Sequence, residues 1–198
     1  MNQTQIRQSL GESGRTVLGA ASALVFAVPM VQVFINSKSE SLAQMPIVLA
    51  DGVSTLFGSL WPLIAPTIGG LGAFIAGSNT ISNMLFAFFQ FSMAQKIGAT
   101  EHIVVALQAV GGAAGNMICV HNVVFASATV GLLRKEGSVI RKTLAPMIGY
   151  ALFAGALGLV MIGGSGITLG AIFVAVFAVL MVWLIFVGMR SEALEKES

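Results

Sequence analysis

Charged side chains are scarce in this sequence, and their placement excludes a soluble protein. Charged residues make up 9% of the 198 residues, whereas a typical soluble domain has roughly 25%. No Asp, Glu, Lys or Arg occurs in residues 16–37, 52–95, 103–133 or 143–189. A helix needs about 20 apolar residues to cross a bilayer, and each uncharged stretch is long enough. The sequence therefore predicts an integral membrane protein, not a soluble enzyme, a nucleic-acid-binding protein or a disordered chain.

Cysteine is nearly absent, and so are the usual catalytic and metal-binding patterns. Cys119 is the single cysteine, so the sequence offers no internal disulfide pair. It contains no Walker motif, no HExxH motif, no metal-type Cys/His spacing and no recognisable Ser-His-Asp arrangement. We therefore expect no enzymatic activity, no catalytic residues, no metal and no cofactor.

The uncharged stretches divide a single membrane domain, residues 1–198, into helical segments. We predict plain membrane helices at 16–35, 144–162 and 167–188, followed by a charged and polar tail at 189–198. The first apolar run starts late and continues for some twenty residues, which is too long for the apolar core of a signal peptide. The predicted fold class is therefore all-α and polytopic.

The stretch 52–95 is too long for one ordinary crossing, yet no charged loop divides it. Its centre contains several glycines, followed by the sequence GSNTISN at 77–83. Polar, non-helical backbone is tolerated at membrane depth only where protein or a water-filled cavity surrounds it. We therefore predict a re-entrant helical hairpin with its tip at 77–83. Two full crossings joined by an exposed turn are the alternative.

The stretch 102–131 is predicted to be a broken membrane helix. Both of its ends are apolar, but the sequence GGAAGNMICVHN at 111–122 is rich in glycine and polar side chains. Discontinuous helices of this kind recur in secondary transporters, where their ends face the substrate.

Basic residues set the predicted orientation, because they concentrate in cytoplasmic loops. Arg134, Lys135, Arg141 and Lys142 place the loop 134–142 in the cytoplasm. The last two helices then return the C-terminus to the cytoplasmic side. Two arginines before the first apolar run favour a cytoplasmic N-terminus as well.

The predicted hairpin tip has the composition of an anion site. The first turn of a helix presents unpaired N–H groups and a partial positive charge, and these bind anions. Ser78, Asn79 and Thr80 have side chains preferred at helix N-caps, and Asn116 would begin the second half of the broken helix. We expect a small carboxylate to bind between these two helix starts, with no basic residue involved.

Packing is the competing interpretation of these small and polar residues. Five hydrogen-bonding side chains occur in the six residues 78–83. Such groups are costly in hydrocarbon, which favours a binding site there. For Gly111, Gly112 and Gly115, close helix packing is the favoured interpretation.

Two ionisable residues leave alternatives open. His121 is the ionisable side chain deep in the broken helix. Histidine gains and loses a proton near neutral pH, so His121 is a proton-coupling candidate; a neutral ring hydrogen-bonded to a neighbouring helix is the other interpretation. Asp51 precedes the hairpin stretch, where we expect it to lie at a helix start.

Three segments resemble the C-terminal portion of the bacterial L-lactate permease family. They are GGLGAFIAGSNTISNMLF at 69–86, ALQAVGGAAGNMI at 106–118 and ATVGLLRKEGSVIRKT at 128–143. Their order and spacing match as well, so the resemblance covers most of residues 16–162. It implies a multi-pass carrier in the bacterial inner membrane, in contact with the lipid bilayer. The family moves L-lactate, or a similar 2-hydroxy monocarboxylate such as glycolate, by proton symport.

The resemblance also implies roles for particular residues and a partner for the chain. Substrate binding falls to Ser78, Asn79 and Thr80, with Asn83 and Asn116 as further candidates. Family members are longer and contain two inverted halves, whereas this chain has one hairpin and one broken helix and so resembles one half. A missing N-terminal half or a second copy would complete the carrier. A carrier of another small carboxylate, or an inactive truncated membrane fragment or subunit, are the alternatives.

Overall fold

The computed structural model describes residues 3–40, 42–132, 134–163 and 166–197. Helices are the regular structure of these residues, with no strand among them, so the all-α prediction is confirmed. In chain order the helices are α1 (Gln3–Ile35), α2 (Met45–Phe57), a 3₁₀ turn (Gly58–Leu60), α3 (Trp61–Ala76), α4 (Asn79–Ile97), α5 (Glu101–Gly115), α6 (Val120–Thr129), α7 (Glu136–Ile162) and α8 (Gly166–Glu197).

Proline and glycine set the helix ends around the predicted hairpin. Pro46 and Pro62 lie in the first turns of α2 and α3, where the missing N–H costs nothing. Gly58, Gly77 and Gly98 follow α2, α3 and α4 with φ of 48°, 71° and 67°. Glycine adopts this left-handed conformation without the steric cost that other residues meet. Prolines and glycines of the local sequence thus set where the helices of the α3–α4 hairpin begin and end.

The helices have the lengths of a membrane protein. Met45–Ala76 and Glu136–Ile162 are long and apolar enough to cross a bilayer. The pair α5 and α6, bent by 41°, makes a third span if it counts as one. With the uncharged stretches of the sequence, this gives an all-α polytopic membrane protein, as predicted. The 19 residues of α4 rise about 28 Å, close to the roughly 30 Å hydrocarbon thickness, so its length fits a full crossing as well as a deep re-entrant arm.

Several helices extend beyond the predicted apolar segments. The helix expected at 16–35 begins at Gln3, and the one expected at 144–162 begins at Glu136. Arg141 and Lys142, predicted in a loop, therefore lie in the second turn of α7. The helix expected at 167–188 continues through most of the polar tail in α8. Bilayer thickness limits the apolar length of a helix, but polar residues can continue the same helix outside it.

The prediction for Asp51 was wrong. The hairpin stretch begins earlier than residue 52, because α2 starts at Met45, and Asp51 lies inside this helix. Its carboxylate forms an ion pair with Lys96 in the last turn of α4, and both side chains are about half exposed. The pair therefore joins α2 to the end of α4 that is remote from the hairpin tip.

The core lies where α3, α4 and α5 meet. The ring of Trp61 packs edge-on against Phe89, with centroids 5.5 Å apart, and Met93, Val104 and Leu107 belong to the same buried cluster. Burying such a side chain, relative to leaving it exposed to water, stabilises a folded protein by about 1.5–3 kcal/mol. In a bilayer, close van der Waals packing replaces part of that driving force. This core fixes α4 and α5 side by side, which brings the hairpin tip to the broken helix.

Candidate functional site

The hairpin tip consists of one turn and the start of α4. Gly77 ends α3 in the left-handed region at φ 71°, and Ser78 is extended. The Oγ of Ser78 accepts a hydrogen bond from the N–H of Ile81 at 3.4 Å, so Ser78 is the N-cap of α4. The N-capping expected at this tip is thus confirmed at Ser78. Asn79 and Thr80 form the first turn of the helix, and the side chain of Thr80 is exposed.

Asn79 and Asn83 form a pair one turn apart on α4. The Nδ2 of Asn83 donates to the Oδ1 of Asn79 at 3.2 Å, and both side chains are half-buried. The Asn79 oxygen lies against Gly112 of α5, where a Cβ atom would collide with it. Only a glycine leaves room for this amide between the two helices. The tip is therefore in direct contact with the first half of the broken helix.

The break between α5 and α6 spans residues 116–119. Asn116 ends α5 instead of opening α6, so that part of the prediction was wrong. The N-cap position of α6 is Cys119, which is buried and makes no side-chain capping bond. Across the break, Nδ2 of Asn122 donates to Oδ1 of Asn116 at 3.2 Å. The hydroxyl oxygen of Thr143 on α7 lies 3.0 Å from the carbonyl oxygen of Met117, and two carbonyls of its own helix compete for the same hydrogen.

His121 connects α6 to the hairpin tip. Its Nε2 lies 2.9 Å from the carbonyl oxygen of Gly77. A carbonyl only accepts, so Nε2 is the donor in this hydrogen bond. The ring is exposed and occupies the space that a side chain at Gly77 would need. The hydrogen bond to a neighbouring segment, one of the two interpretations of this histidine, is present.

A buried chain of hydrogen bonds runs behind the tip, and sequence reasoning missed it. The indole N–H of Trp61 donates to Oε1 of Gln90 at 2.7 Å, and Nε2 of Gln90 donates to Oε1 of Gln108 at 3.0 Å. Nε2 of Gln108 donates to the hydroxyl of Ser82 at 3.1 Å, which donates to the carbonyl of Gly69 at 2.8 Å.

Every polar hydrogen in this chain has an acceptor. The second hydrogen of the Gln90 amide goes to the carbonyl of Ala65, and that of the Gln108 amide to the carbonyl of Ser82. The Gln90, Gln108 and Ser82 side chains are 0% exposed. A fully satisfied buried network favours one arrangement over its alternatives. These hydrogen bonds therefore fix the rotation of α4 about its axis at Ser82, the residue before Asn83.

Glycines bring α3 and α5 into close contact. A Cβ at Gly111 would collide with the carbonyl group of Pro66, and a Cβ at Gly115 would collide with the backbone of Gly70. The packing interpretation of Gly111, Gly112 and Gly115 is therefore confirmed. The backbone contact aligns the end of α5 with the hairpin.

The arrangement can bind a small anion without a basic residue. Residues 77–83 contain no charged side chain, but the start of α4 presents free N–H groups and a partial positive charge. Hydroxyl and amide groups of Ser78 and Asn79 surround that start. Among the described residues, no group of three His, Cys, Asp or Glu could hold a metal ion.

Comparison with known proteins connects this geometry to one family. A family model described as L-lactate permease matches residues 1–163. The chain belongs to the L-lactate permease family. No solved structure matches it.

Individual relatives agree with the family assignment. A relative in Haemophilus influenzae is 35% identical over 162 residues, which are 81% of this chain and 30% of the relative. The L-lactate permease of Salmonella typhi is 35% identical over 122 residues, 61% of this chain and 21% of its own length. The glycolate permease of Escherichia coli K12 is 30% identical over 144 residues, 73% of this chain and 23% of its own length. This permease-family chain thus spans less than a third of these relatives.

Proposed function

We propose that the chain forms one half of a secondary transporter for L-lactate or a similar 2-hydroxy monocarboxylate such as glycolate. The observation that supports it is the contact between two helix starts: His121, in the first turn of α6, is hydrogen-bonded to Gly77 at the tip before α4. Half-helix starts that face an anionic substrate are a recurring device of such carriers. The names of the relatives, L-lactate permease and glycolate permease, supply the substrate class.

The substrate carboxylate binds at the start of α4. Its oxygens accept hydrogen bonds from the backbone N–H groups of Asn79 and Thr80, which lie ahead of the first intrahelical bonds. The Ser78 and Thr80 hydroxyls and the amides of Asn79, Asn83 and Asn116 orient the remaining substrate atoms. No lysine or arginine takes part, so partial charges alone hold the anion while His121 is neutral. This weaker binding suits a carrier, which must release what it binds.

His121 couples the substrate to a proton. The neutral ring donates from Nε2 to Gly77 and can accept a proton at Nδ1. Protonation places a positive charge beside the start of α4, which strengthens carboxylate binding. Release of the substrate then favours release of the proton, and symport results because the carrier moves both together.

The distribution of basic residues supports the proposed orientation, and the family resemblance supports the proposed membrane. The carrier lies in the bacterial inner membrane, with the hairpin re-entrant and both termini cytoplasmic. Lys96 and Asp51, at the far end of α4 from the tip, lie at one membrane surface, because charged pairs are costly inside hydrocarbon. Alternating access moves the tip and the broken helix against the rest of the carrier.

Completion of the carrier requires further protein, either a separate N-terminal half or a second copy of this chain. Uptake of radiolabelled L-lactate by cells expressing the chain, alone and with a family N-terminal half, tests this proposal. Uptake only with the added half identifies a split carrier, and uptake by the chain alone identifies a homo-oligomer. If neither combination takes up L-lactate or glycolate while membrane insertion is confirmed, the proposed function is wrong.

A further inference from the structure

Excess positive charge is concentrated at the start of α7 and in the turn before it. Residues 134–142 contain four of the ten basic residues of the chain and one of its eight acidic residues, whereas the remainder contains six basic and seven acidic residues. The four are Arg134, Lys135, Arg141 and Lys142, and all of them are exposed. Charges are costly in hydrocarbon, so this segment lies at a membrane surface.

Among the described side chains, none neutralises these four cations. The ion pair within the described part of the chain joins Lys96 to Asp51, on other helices. The carboxylate of Glu136, the acidic residue of the segment, instead accepts a hydrogen bond from the backbone N–H of Arg134 at 2.9 Å. Arg134 has a φ of 68° there, a conformation that is uncommon for a residue other than glycine. With four basic residues and one acidic residue, the segment keeps a net charge of +3.

One side of α7 carries cations first and apolar side chains next. Arg141 and Lys142 are exposed in the second turn, and Leu144 and Ile148, 40% and 42% exposed, follow within two turns. Residues three, four or seven positions apart share a helix face, so Leu144 and Ile148 lie on the same side as Arg141. The other side of the helix packs into the protein through Met147. The exposed side therefore presents positive charge at the membrane surface and apolar surface within the bilayer.

We propose that this side of α7 binds an anionic phospholipid. The headgroup phosphate contacts Arg141 and Lys142, and an acyl chain lies along Leu144 and Ile148. A guanidinium pairs with phosphate through two parallel hydrogen bonds, and an ammonium pairs with it as a point charge. A zwitterionic lipid carries its own cation, so the net positive segment selects lipids with net negative charge. The inference concerns the lipid around the protein and does not depend on the substrate it transports.

Lipid retention by the purified full chain tests this inference. The delipidated chain is incubated in detergent with equimolar phosphatidylglycerol and phosphatidylcholine, and the retained lipids are quantified by mass spectrometry. A basic residue close to an anionic headgroup changes binding by roughly fivefold. We therefore expect retention of phosphatidylglycerol to exceed that of phosphatidylcholine by at least about tenfold. Equal retention of the two lipids would overturn the inference.

Paired variants test whether the lipid binds at α7. Arg141→Gln with Lys142→Gln should lower the retention ratio about tenfold, whereas Arg141→Lys with Lys142→Arg keeps both charges and should keep the ratio. Arg7→Gln with Arg15→Gln, on α1, removes the same charge elsewhere and should leave the ratio near that of the unmodified chain. A ratio that survives the loss of both α7 charges, or that the α1 changes lower equally, contradicts the inference.

Salt and free phosphate provide tests on the unmodified chain, which remain decisive if the α7 variant does not insert. Raising KCl from about 0.1 M to about 1 M shortens the screening length from about 10 Å to about 3 Å, so the retention ratio should fall toward one. Inorganic phosphate at matched ionic strength should not displace phosphatidylglycerol, because it lacks the acyl chain that contacts Leu144 and Ile148. A ratio independent of salt, or displacement of the lipid by millimolar phosphate, would overturn the inference.

Discussion

The imidazole Nε2 of His121 lies 2.9 Å from the carbonyl oxygen of Gly77, although the two residues are 44 positions apart. This contact joins the start of α6 to the tip of the α3–α4 hairpin. It brings the two polar interruptions of the apolar sequence into contact. We therefore expect different effects from replacing His121, replacing Gly77 and replacing the buried amides behind the tip.

Removal of the titrating group at His121 should uncouple protons from transport. His121→Gln keeps a side-chain N–H that can reach the Gly77 carbonyl but cannot gain a proton near neutral pH. Uptake driven by an inward pH gradient should fall to the level seen without a gradient, while exchange of internal for external L-lactate continues. His121→Leu, which lacks the donor too, should impair both. Gradient-driven uptake that survives in His121→Gln rules out the coupling role.

The space at Gly77 is needed by the His121 ring. Gly77→Ala introduces a left-handed alanine, which costs about 1 kcal/mol, and its Cβ would collide with the imidazole. Gly98→Ala is the matched control, because Gly98 also has a positive φ, 67°, but nothing lies within 4 Å of its added Cβ. Thermal unfolding in detergent should show a larger loss for Gly77→Ala than for Gly98→Ala. Equal losses would mean that the ring does not occupy this space.

The buried amide chain should contribute strongly to stability. Gln90→Leu leaves the Trp61 indole N–H and the Gln108 oxygen without their partner. At about 1–3 kcal/mol for each of the two unsatisfied groups, the variant should lose about 2–6 kcal/mol. Gln95→Leu is the control, because Gln95 is exposed on the same helix; its unfolding temperature should change little. Similar unfolding temperatures of the two variants would contradict the network.

Close contact of α3 and α5 should make alanine unfavourable at Gly111. The added methyl group would collide with the carbonyl group of Pro66 and force the helices apart. Gly52→Ala, in the open interior of α2 with nothing within 4 Å of the new Cβ, should instead stabilise the protein by about 0.5–1 kcal/mol. The two variants should shift the unfolding temperature in opposite directions. A stabilising Gly111→Ala would show that the helices are not in contact there.

The sequence predicts the site better where the signal is local. Consecutive polar residues inside an uncharged stretch mark the tip, and Ser78 is the N-cap, because capping depends on residues three apart. Asn116 was predicted at the start of α6 but lies at the end of α5. When a helix is interrupted over several residues, the sequence does not show whether an asparagine there ends the first helix or begins the second. The side chain in fact bonds Asn122 across the break.

The rest of the site depends on tertiary structure. Gln90 and Gln108 are isolated amides in apolar sequence. They lie 18 positions apart on different helices, and no local pattern predicts that they pair. Asp51 similarly finds its partner in another helix. Long-range pairs of this kind form only once the helices pack. The sequence therefore shows that a polar side chain in a membrane helix needs a partner, but not which residue that partner is.

Uptake of L-lactate by a chain that combines Ser78→Ala, Asn79→Ala and Thr80→Ala, in the assembly that transports, tests most directly whether the hairpin tip binds the substrate. Loss of the two hydroxyls and the tip amide removes side chains that orient the substrate at the start of α4, while the buried core remains. We predict normal membrane insertion with uptake reduced to background. Ser92→Ala, a change on α4 remote from the tip, should leave uptake near that of the unmodified chain. Unchanged uptake in the triple variant would contradict the assignment of the site to the hairpin tip.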